Sequence, residues 1–403
     1  MKKLGLLPRL ILGLIAGIIL GKIGFVPLLR IMITFNGIFG NFLQFVIPLI
    51  IIGFVAPGIG DLGKKAGKLL AITTVLAYGS TIVSGSVAYF TNSIMLKKIL
   101  PTAAHTIAEN SPEAGLLTGY LTVEMPPIMG VMTALLMAFI IGIGIAIVEG
   151  NTLKNFMNEI QTIVEKIITN IVIPFLPLYV AGIFANMTYA GEIVKIMSVF
   201  AKVFGIIIVL HYVILLVQYT VAGTMGGANP IALIRKMLPA YFTAIGTQSS
   251  AATIPVTLRQ TKENGVNDGI ADFTIPLCAT IHLSGSTITL VSCSMAVMML
   301  NGMPITFSGM FGFILMLGVT MVAAPGVPGG AVMAALGLLE SMLGFGPELQ
   351  SLMIALYLTQ DSFGTACNVT GDGAIAIMVN KIAGFKLEKK LNHINVSKVK
   401  YNE

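Results

Sequence analysis

Between Leu358 and Gly373 the sequence reads LTQDSFGTACNVTGDG, which sets two carboxylates, an asparagine and several threonines among strongly apolar residues. On a helix advancing 100° per residue, Asp361, Thr365, Asn368 and Asp372 fall within about 60° of one another, with Gly364 at the border of the stripe. A lone intramembrane carboxylate can be neutralised and hydrogen-bonded within a bundle. Four polar groups in one stripe instead describe a wall facing a ligand, with the carboxylates suited to a cationic group and the amide and hydroxyl to a polar one. Two aspartates also raise the possibility of an intramembrane aspartyl protease, whose paired carboxylates share a proton. Asp361 and Asp372 stand about 16 Å apart along one helix and the local motif is VTGD, so this pattern is not that of an enzyme.

The elements that must hold these residues are membrane helices. The chain is 56% hydrophobic and 10% charged, with a mean hydropathy of +0.92. That is far too apolar for an ordinary soluble domain. Asp, Glu, Lys and Arg are all absent between Asp272 and Glu340, and charge-free runs long enough to cross a hydrocarbon core of about 30 Å recur elsewhere. Such runs indicate helices rather than the roughly ten-residue alternating strands of a barrel. The apolar segment from Leu10 to Leu20 follows Lys2, Lys3 and Arg9 but has no convincing small-residue cleavage site after it, so it reads as a first transmembrane helix rather than a signal peptide. The net charge of +7 is concentrated at the N-terminus, in DLGKKAGK and in the C-terminal tail. This is a positive-inside pattern with both termini cytoplasmic in a multi-pass cell-membrane protein, and it does not suggest a nucleic-acid partner. Cys278, Cys293 and Cys367 match no metal-binding spacing and read as reduced packing residues.

Spans are expected near residues 6–26, 34–57, 67–91, 128–148, 163–187 and 195–222, with LKKILPTAAHTIAENSPEAG as an extracellular loop carrying a solvated His105. His393 is expected in the solvated tail, and His211 as a packed, hydrogen-bonded residue of the sixth span. After residue 223 glycine, proline and serine interrupt the apolar segments. AIGTQSSAATIPVTL (244–258) and MVAAPGVPGGAVMAAL (321–336) each put a small-residue tip with proline between apolar flanks, where a helix cannot run cleanly. Polar interruptions follow at matched distances, at Ser284 after Ser250 and at Asp361 after Pro328. Two units of re-entrant hairpin plus broken helix predict an internal repeat around a midplane site. Unpaired backbone at that depth must line a cavity, and half-helix N-termini at Gln248–Ser250 and near Gly329 would face an anionic group such as the carboxylate of an amino acid.

These motifs resemble a known family. NVTGD (Asn368–Asp372), with an aspartate seven residues before the asparagine, is similar to the last helix of the dicarboxylate/amino acid:cation symporters, which include the excitatory glutamate transporters. SSAATIPVT (249–257) and GVPGG (326–330) resemble their two hairpin tips, and PLCATIHLSGS (276–286) their seventh-helix motif PLGATINMDGT. The resemblance implies an all-α membrane protein of eight transmembrane helices and two re-entrant hairpins, working as a homotrimer of elevator-type carriers in lipid. It places a scaffold in 1–62 and 117–190, an extracellular loop in 101–116, and a transport part in 63–100 and 191–386, followed by a cytoplasmic tail, 387–403. It assigns Asp361 to the substrate ammonium and Asn368 to its carboxylate. Ser249, Ser250, Val327 and Gly329 of the hairpin tips share that carboxylate, and Thr365 and Gly364 line the site. It also assigns Asp372 to a sodium ion, with Asn368 and backbone carbonyls near Cys278 and His282; no cofactor is implied.

Departures from the family pattern decide the substrate class. Acidic-substrate members carry arginine where this chain has Gly364, and others carry it where this chain has Gln248. A buried side-chain carboxylate would therefore be unpaired, making glutamate and aspartate poorer substrates by at least ~100-fold. A neutral amino acid such as serine, threonine or alanine fits better, and QDS followed by a threonine resembles the serine/threonine branch. The alternatives are an acidic amino acid or dicarboxylate symporter, a proton-coupled or uncoupled carrier, and an anion-conducting channel. The family's NMDGT reads His282-Leu283-Ser284-Gly285-Ser286 here, so one cation site has lost its carboxylate. Ala323-Ala324-Pro325 also lacks a hydroxyl that other members carry nearby. His282 has two readings: a proton carrier in place of a sodium ion, or a neutral side chain hydrogen-bonded to a neighbouring helix.

Overall fold

The computed structural model describes residues 6–61, 67–99, 117–191, 193–321, 324 and 329–384. The described residues form helices and irregular connections with no strand. The helices are α1 (Leu6–Ile23), α2 (Val26–Asp61), α3 (Gly67–Ile99), α4 (Val131–Ile147), α5 (Thr152–Tyr189), α6 (Ile193–Gly226), α7 (Pro230–Thr247), α8 (Ser250–Glu263), α9 (Asp268–Ile281), α10 (Ser284–Leu300), α11 (Phe307–Met321), α12 (Gly330–Leu343) and α13 (Pro347–Ile382). Five helical stretches are long and apolar enough to cross a membrane: Val26–Gly53, Leu69–Leu96, Thr152–Tyr189, Val199–Gly226 and Asp268–Leu300. The last of these includes the short break at residues 282–283. This is a multi-pass membrane protein.

The six expected early spans correspond to α1–α6, with three main differences in extent, one being that α3 ends at Ile99 rather than near 91. α2 begins at Val26 rather than near 34, because Arg30 does not end the helix; its guanidinium lies over the Tyr120 ring, 5.8 Å from the centroid. α5 begins at Thr152 rather than near 163. Its first turns are amphipathic, burying Met157 and Val164 while Glu165 and Lys166 stay exposed. Within α5 the turn Ile168–Val172 widens to π geometry just before Pro174. The proline has no N–H to give and its ring crowds the preceding carbonyls, and a wider turn relieves both. The expected loop at 101–116 with His105, and the tail 387–403 with His393, lie outside the described residues.

α1 packs along the second half of α5 through three small residues one turn apart. A Cβ on Gly13, Gly17 or Gly21 would sit 2.4, 2.3 or 2.5 Å from the carbonyl oxygen of Pro177, Ala181 or Ala185. Only glycine permits this approach, which maximises packing where lipid offers no competing hydrophobic drive. α2 lies against α4 and α5, and Asn36 on α2 donates to the Tyr179 carbonyl at 3.1 Å. The extended segment 117–130 crosses these helices, its Leu117 N–H donating to Asn186 Oδ1 at 2.9 Å and its Tyr120 N–H to Thr34 Oγ1 at 2.8 Å. The other helices form a second set: α3, α6–α10 and α12 pack around α13, α11 packs on α3, α10 and α12, and α10 is buried on almost every side. Between the two sets a hydrogen bond joins the Tyr179 and Ser351 hydroxyls.

Both small-residue interruptions break helices as expected, and α7/α8 and α11/α12 are helix pairs packed on each other. The first turns at Gln248, which has φ 54° and is the sole non-glycine at positive φ among the described residues. Ser249 then caps α8, its Oγ accepting from Ala252 N–H at 3.2 Å. In the second, Ala324 and Gly329 lie outside any helix, and 322, 323 and 325–328 are outside the described residues. Gly329, at φ 75°, opens α12. The seventh segment also breaks as expected, at His282–Leu283 between α9 and α10.

The broken helix expected at Asp361 is corrected. α13 runs unbroken through Asp361 from Pro347 to Ile382. Its one proline is at the first position, where no intrahelical N–H is needed, and its internal glycines cost far less than an internal proline would. The matched units are therefore alike in their packed helix pairs and unlike in the helix that follows.

Candidate functional site

Helical continuity of α13 puts Asp361, Thr365, Asn368 and Asp372 in one buried stripe, all at 5% exposure or less. At its N-terminal end the two hairpin tips meet adjacent residues. The Gly329 N–H, at the start of α12, donates to Asp361 Oδ2 at 2.7 Å. Gln248 Nε2, at the tip of the α7/α8 pair, donates to Ser362 Oγ at 2.8 Å. The hydroxyls of Tyr357 and Thr365 also lie against the Asp361 carboxylate. Asp361 is thus an acceptor surrounded by neutral donors, with no cationic side chain among the neighbours named, a geometry suited to receiving an ammonium group.

Gly364 faces the start of α10. A Cβ there would find its nearest neighbour, Ser286 N, at 3.6 Å, an ordinary contact, so the position admits a Cβ. The reverse holds at Gly285, where a Cβ would lie 2.6 Å from both the Gly364 carbonyl and Cys367 Cβ. Of the expected carboxylate-binding groups, Ser250 is buried at the start of α8 and Ser249 serves as its cap. Gly329 N–H is committed to Asp361. Val327 lies outside the described residues, as do Ala323 and Pro325.

Asn368 occupies the helix break. Its Oδ1 accepts from the N–H groups of Gly285 and Ser286 at 2.8 and 3.2 Å, and its Nδ2 donates to Ser286 Oγ at 2.9 Å. This satisfies the free amides that open α10, which no other side chain caps. One Nδ2 hydrogen has no partner among the described atoms and remains available to a ligand.

Asp372 meets a separate set of groups. Its Oδ1 is 2.9 Å from His282 Nδ1, with both side chains at 1% exposure or less. His282 Nε2 lies 3.0 Å from Ser80 Oγ on α3 and 3.4 Å from Gln218 Nε2 on α6. Gln218 also donates to Ser80 and Ser284, at 2.8 and 3.2 Å. The Cys278 carbonyl, expected near a cation, accepts the His282 N–H at 2.9 Å. Among the described residues no group of three or more His, Cys, Asp or Glu side chains is placed to hold a metal ion. All three cysteines are buried and unpaired. His211 is buried as expected, its Nε2 3.0 Å from the Gly285 carbonyl and 3.3 Å from Thr289 Oγ1.

Sequence reasoning passed over Ser80, Gln218, Tyr357 and Ser362, each of which touches the stripe or its partners. Gln218 carried a usable signal as an amide inside the otherwise apolar run VILLVQYTVAG. Ser80 carried none, since membrane helices bury many serines against their own backbone.

Residues 6–382 match the model of the sodium:dicarboxylate symporter family. The chain is similar to a serine/threonine transporter SstT of Acinetobacter baumannii strain SDF, at 29% identity over 59% of this chain and 60% of that protein. It is similar also to serine/threonine transporters SstT of A. baumannii strains ATCC 17978 and AYE, each at 25% identity over 92% of this chain and 95% of the relative. With all of its described helices inside the match, the chain belongs to the sodium:dicarboxylate symporter family.

Proposed function

We propose that this protein is a secondary active transporter that carries a small neutral amino acid, of the serine, threonine or alanine kind, into the cell together with a cation. The observation that carries the reading is the pairing of Asp361 with Gly364. Asp361 offers a buried carboxylate to a substrate ammonium, while Gly364, three residues on, offers no charge to a second substrate carboxylate. The names of the SstT relatives support the same substrate class.

In this reading the substrate ammonium takes the place of the Gly329 N–H on Asp361, and its carboxylate is received by the tip around Ser249 and Ser250 and by the free hydrogen of Asn368. The side chain points toward the space beside Gly364 and Thr365. Sodium is the ion suggested by the family, and the carrier is read as a homotrimer with both termini cytoplasmic. Eight spans and two re-entrant hairpins make up each protomer. The set of α3 and α6–α13 moves against α1, α2, α4 and α5 as an elevator. Support for that division comes from the close packing within each set and the slight bonding between them, where the Tyr179–Ser351 hydrogen bond stands.

Calorimetric titration of the purified protein with L-serine, L-threonine, L-alanine and L-aspartate, in sodium chloride, tests the substrate class. The expected result is binding of a neutral amino acid with aspartate at least ~100-fold weaker. Aspartate binding as tightly as serine would contradict it.

A further inference from the structure

The transport reading leaves His282 without a role, although its imidazole is fully buried and engaged at both ring nitrogens. A metal cation on Asp372 Oδ1 would compete with the Nδ1–H, which already takes one of that oxygen's lone pairs at an N–O distance of 2.9 Å. The ring cannot easily swing aside. Its second nitrogen is held by Ser80 and the Gln218 amide lies beside it. A Cβ on Gly371 would sit 2.9 Å from His282 Cε1 and 2.6 Å from Gln218 Oε1, so the helix has yielded even a methyl group to this ring.

We propose that His282 sets the ion specificity of this carrier at Asp372: its Nδ1–H takes the position of a metal cation on the carboxylate and keeps sodium from it, so that any sodium used in transport binds elsewhere. The neighbouring oxygens are already in use. The Cys278 carbonyl accepts from His282 N–H, and Asn368 Oδ1 accepts from two backbone amides. Hard cations gather several oxygens, and imidazole nitrogen is a poor substitute. The other ionisable groups near Asp372 are Tyr219, Cys278 and Cys367, which add no second carboxylate. Asp372 Oδ2 has no hydrogen-bond partner. It is the one oxygen through which a sodium ion could still be held there, and the experiment addresses it.

The inference rests on the cation-coupled transport reading, but its test does not require transport. Thermal unfolding of the detergent-solubilised protein is measured in sodium chloride and in choline chloride at equal ionic strength, for the wild type, Asp372→Asn and His282→Asn. The quantity read is the sodium-minus-choline difference in Tm within each protein, which a general loss of stability does not mimic. Ligand that binds only the folded state stabilises it by RT ln(1 + [L]/Kd), so the Tm shift at a given sodium concentration reports Kd. The expected result is the same difference in wild type and Asp372→Asn, and a larger one in His282→Asn, whose apparent sodium Kd is lower by at least ~10-fold. A sodium shift present in the wild type and lost in folded Asp372→Asn would overturn the proposal. So would a His282→Asn protein whose sodium response matches the wild type, and this variant decides alone if Asp372→Asn does not fold. Failure of the transport reading would appear instead as absent amino-acid binding in the calorimetric titration.

Discussion

Asp361 and Asp372 are the same residue type on the same face of α13, equally buried, and they are held in different ways. Asp361 is met by a backbone N–H from the start of α12 and by neutral hydroxyls. Asp372 is met by an imidazole whose far nitrogen is anchored to another helix. A carboxylate bonded to a helix tip can exchange that partner for a ligand with little disturbance of the core. A carboxylate bonded to a wedged side chain can do so only if the wedge moves. The helix sets where a charge stands, and the elements packed against it decide whether that charge is open to a ligand.

The largest effect should come from removing the open carboxylate. Asp361→Asn leaves a substrate ammonium buried and unpaired, a loss of about 3–5 kcal/mol. Binding of a neutral amino acid should become undetectable in calorimetry, while size-exclusion elution stays that of the wild type. Wild-type affinity in this variant would erase the distinction between the two aspartates. The next effect sharpens the open end. Gly364→Arg has space for its Cβ, and its guanidinium one turn from Asp361 should gain about 1.5–3 kcal/mol with an acidic substrate while disfavouring neutral ones. Competition of labelled serine by aspartate should strengthen relative to the wild type; no relative gain in a folded variant would contradict the role of Gly364.

Gly371→Ala acts at the closed end. The added methyl must push on His282 and Gln218, so thermal unfolding should show a loss of about 1–3 kcal/mol. Unchanged stability would mean that the ring is not wedged. The smallest effect is expected for Gln248→Gly. The hydrogen bond to Ser362, worth about 0.5–1.5 kcal/mol, is lost, but glycine adopts the φ of 54° without strain, so the terms largely offset. Serine affinity should fall less than tenfold, and a complete loss would show the first tip to matter more than the geometry indicates.

Much of this arrangement could be read from the chain. Charge-free runs located the early helices, because a hydrocarbon-spanning segment has to be long and apolar. The tips at Gln248 and Gly329 were visible in glycine, proline and serine, since those residues end helices for local reasons. The stripe on α13 followed from helical spacing alone. The continuity of α13 did not, because polar residues were taken for a break although the helix holds no internal proline. The pairing of His282 with Asp372 was also hidden, as it joins residues 90 positions apart through the packing of separate helices. No local pattern encodes which of two like carboxylates will face a ring and which a hairpin tip.

The measurement that bears most directly on the account is uptake into liposomes reconstituted with purified wild-type and Asp361→Asn protein, using labelled serine, threonine, alanine and aspartate under separate sodium, proton and voltage gradients. The account predicts saturable, stereospecific uptake of a neutral amino acid, driven by a cation gradient, weak for aspartate and absent in Asp361→Asn. Flux that does not saturate, or aspartate uptake equal to that of serine, or full uptake by Asp361→Asn, would contradict it.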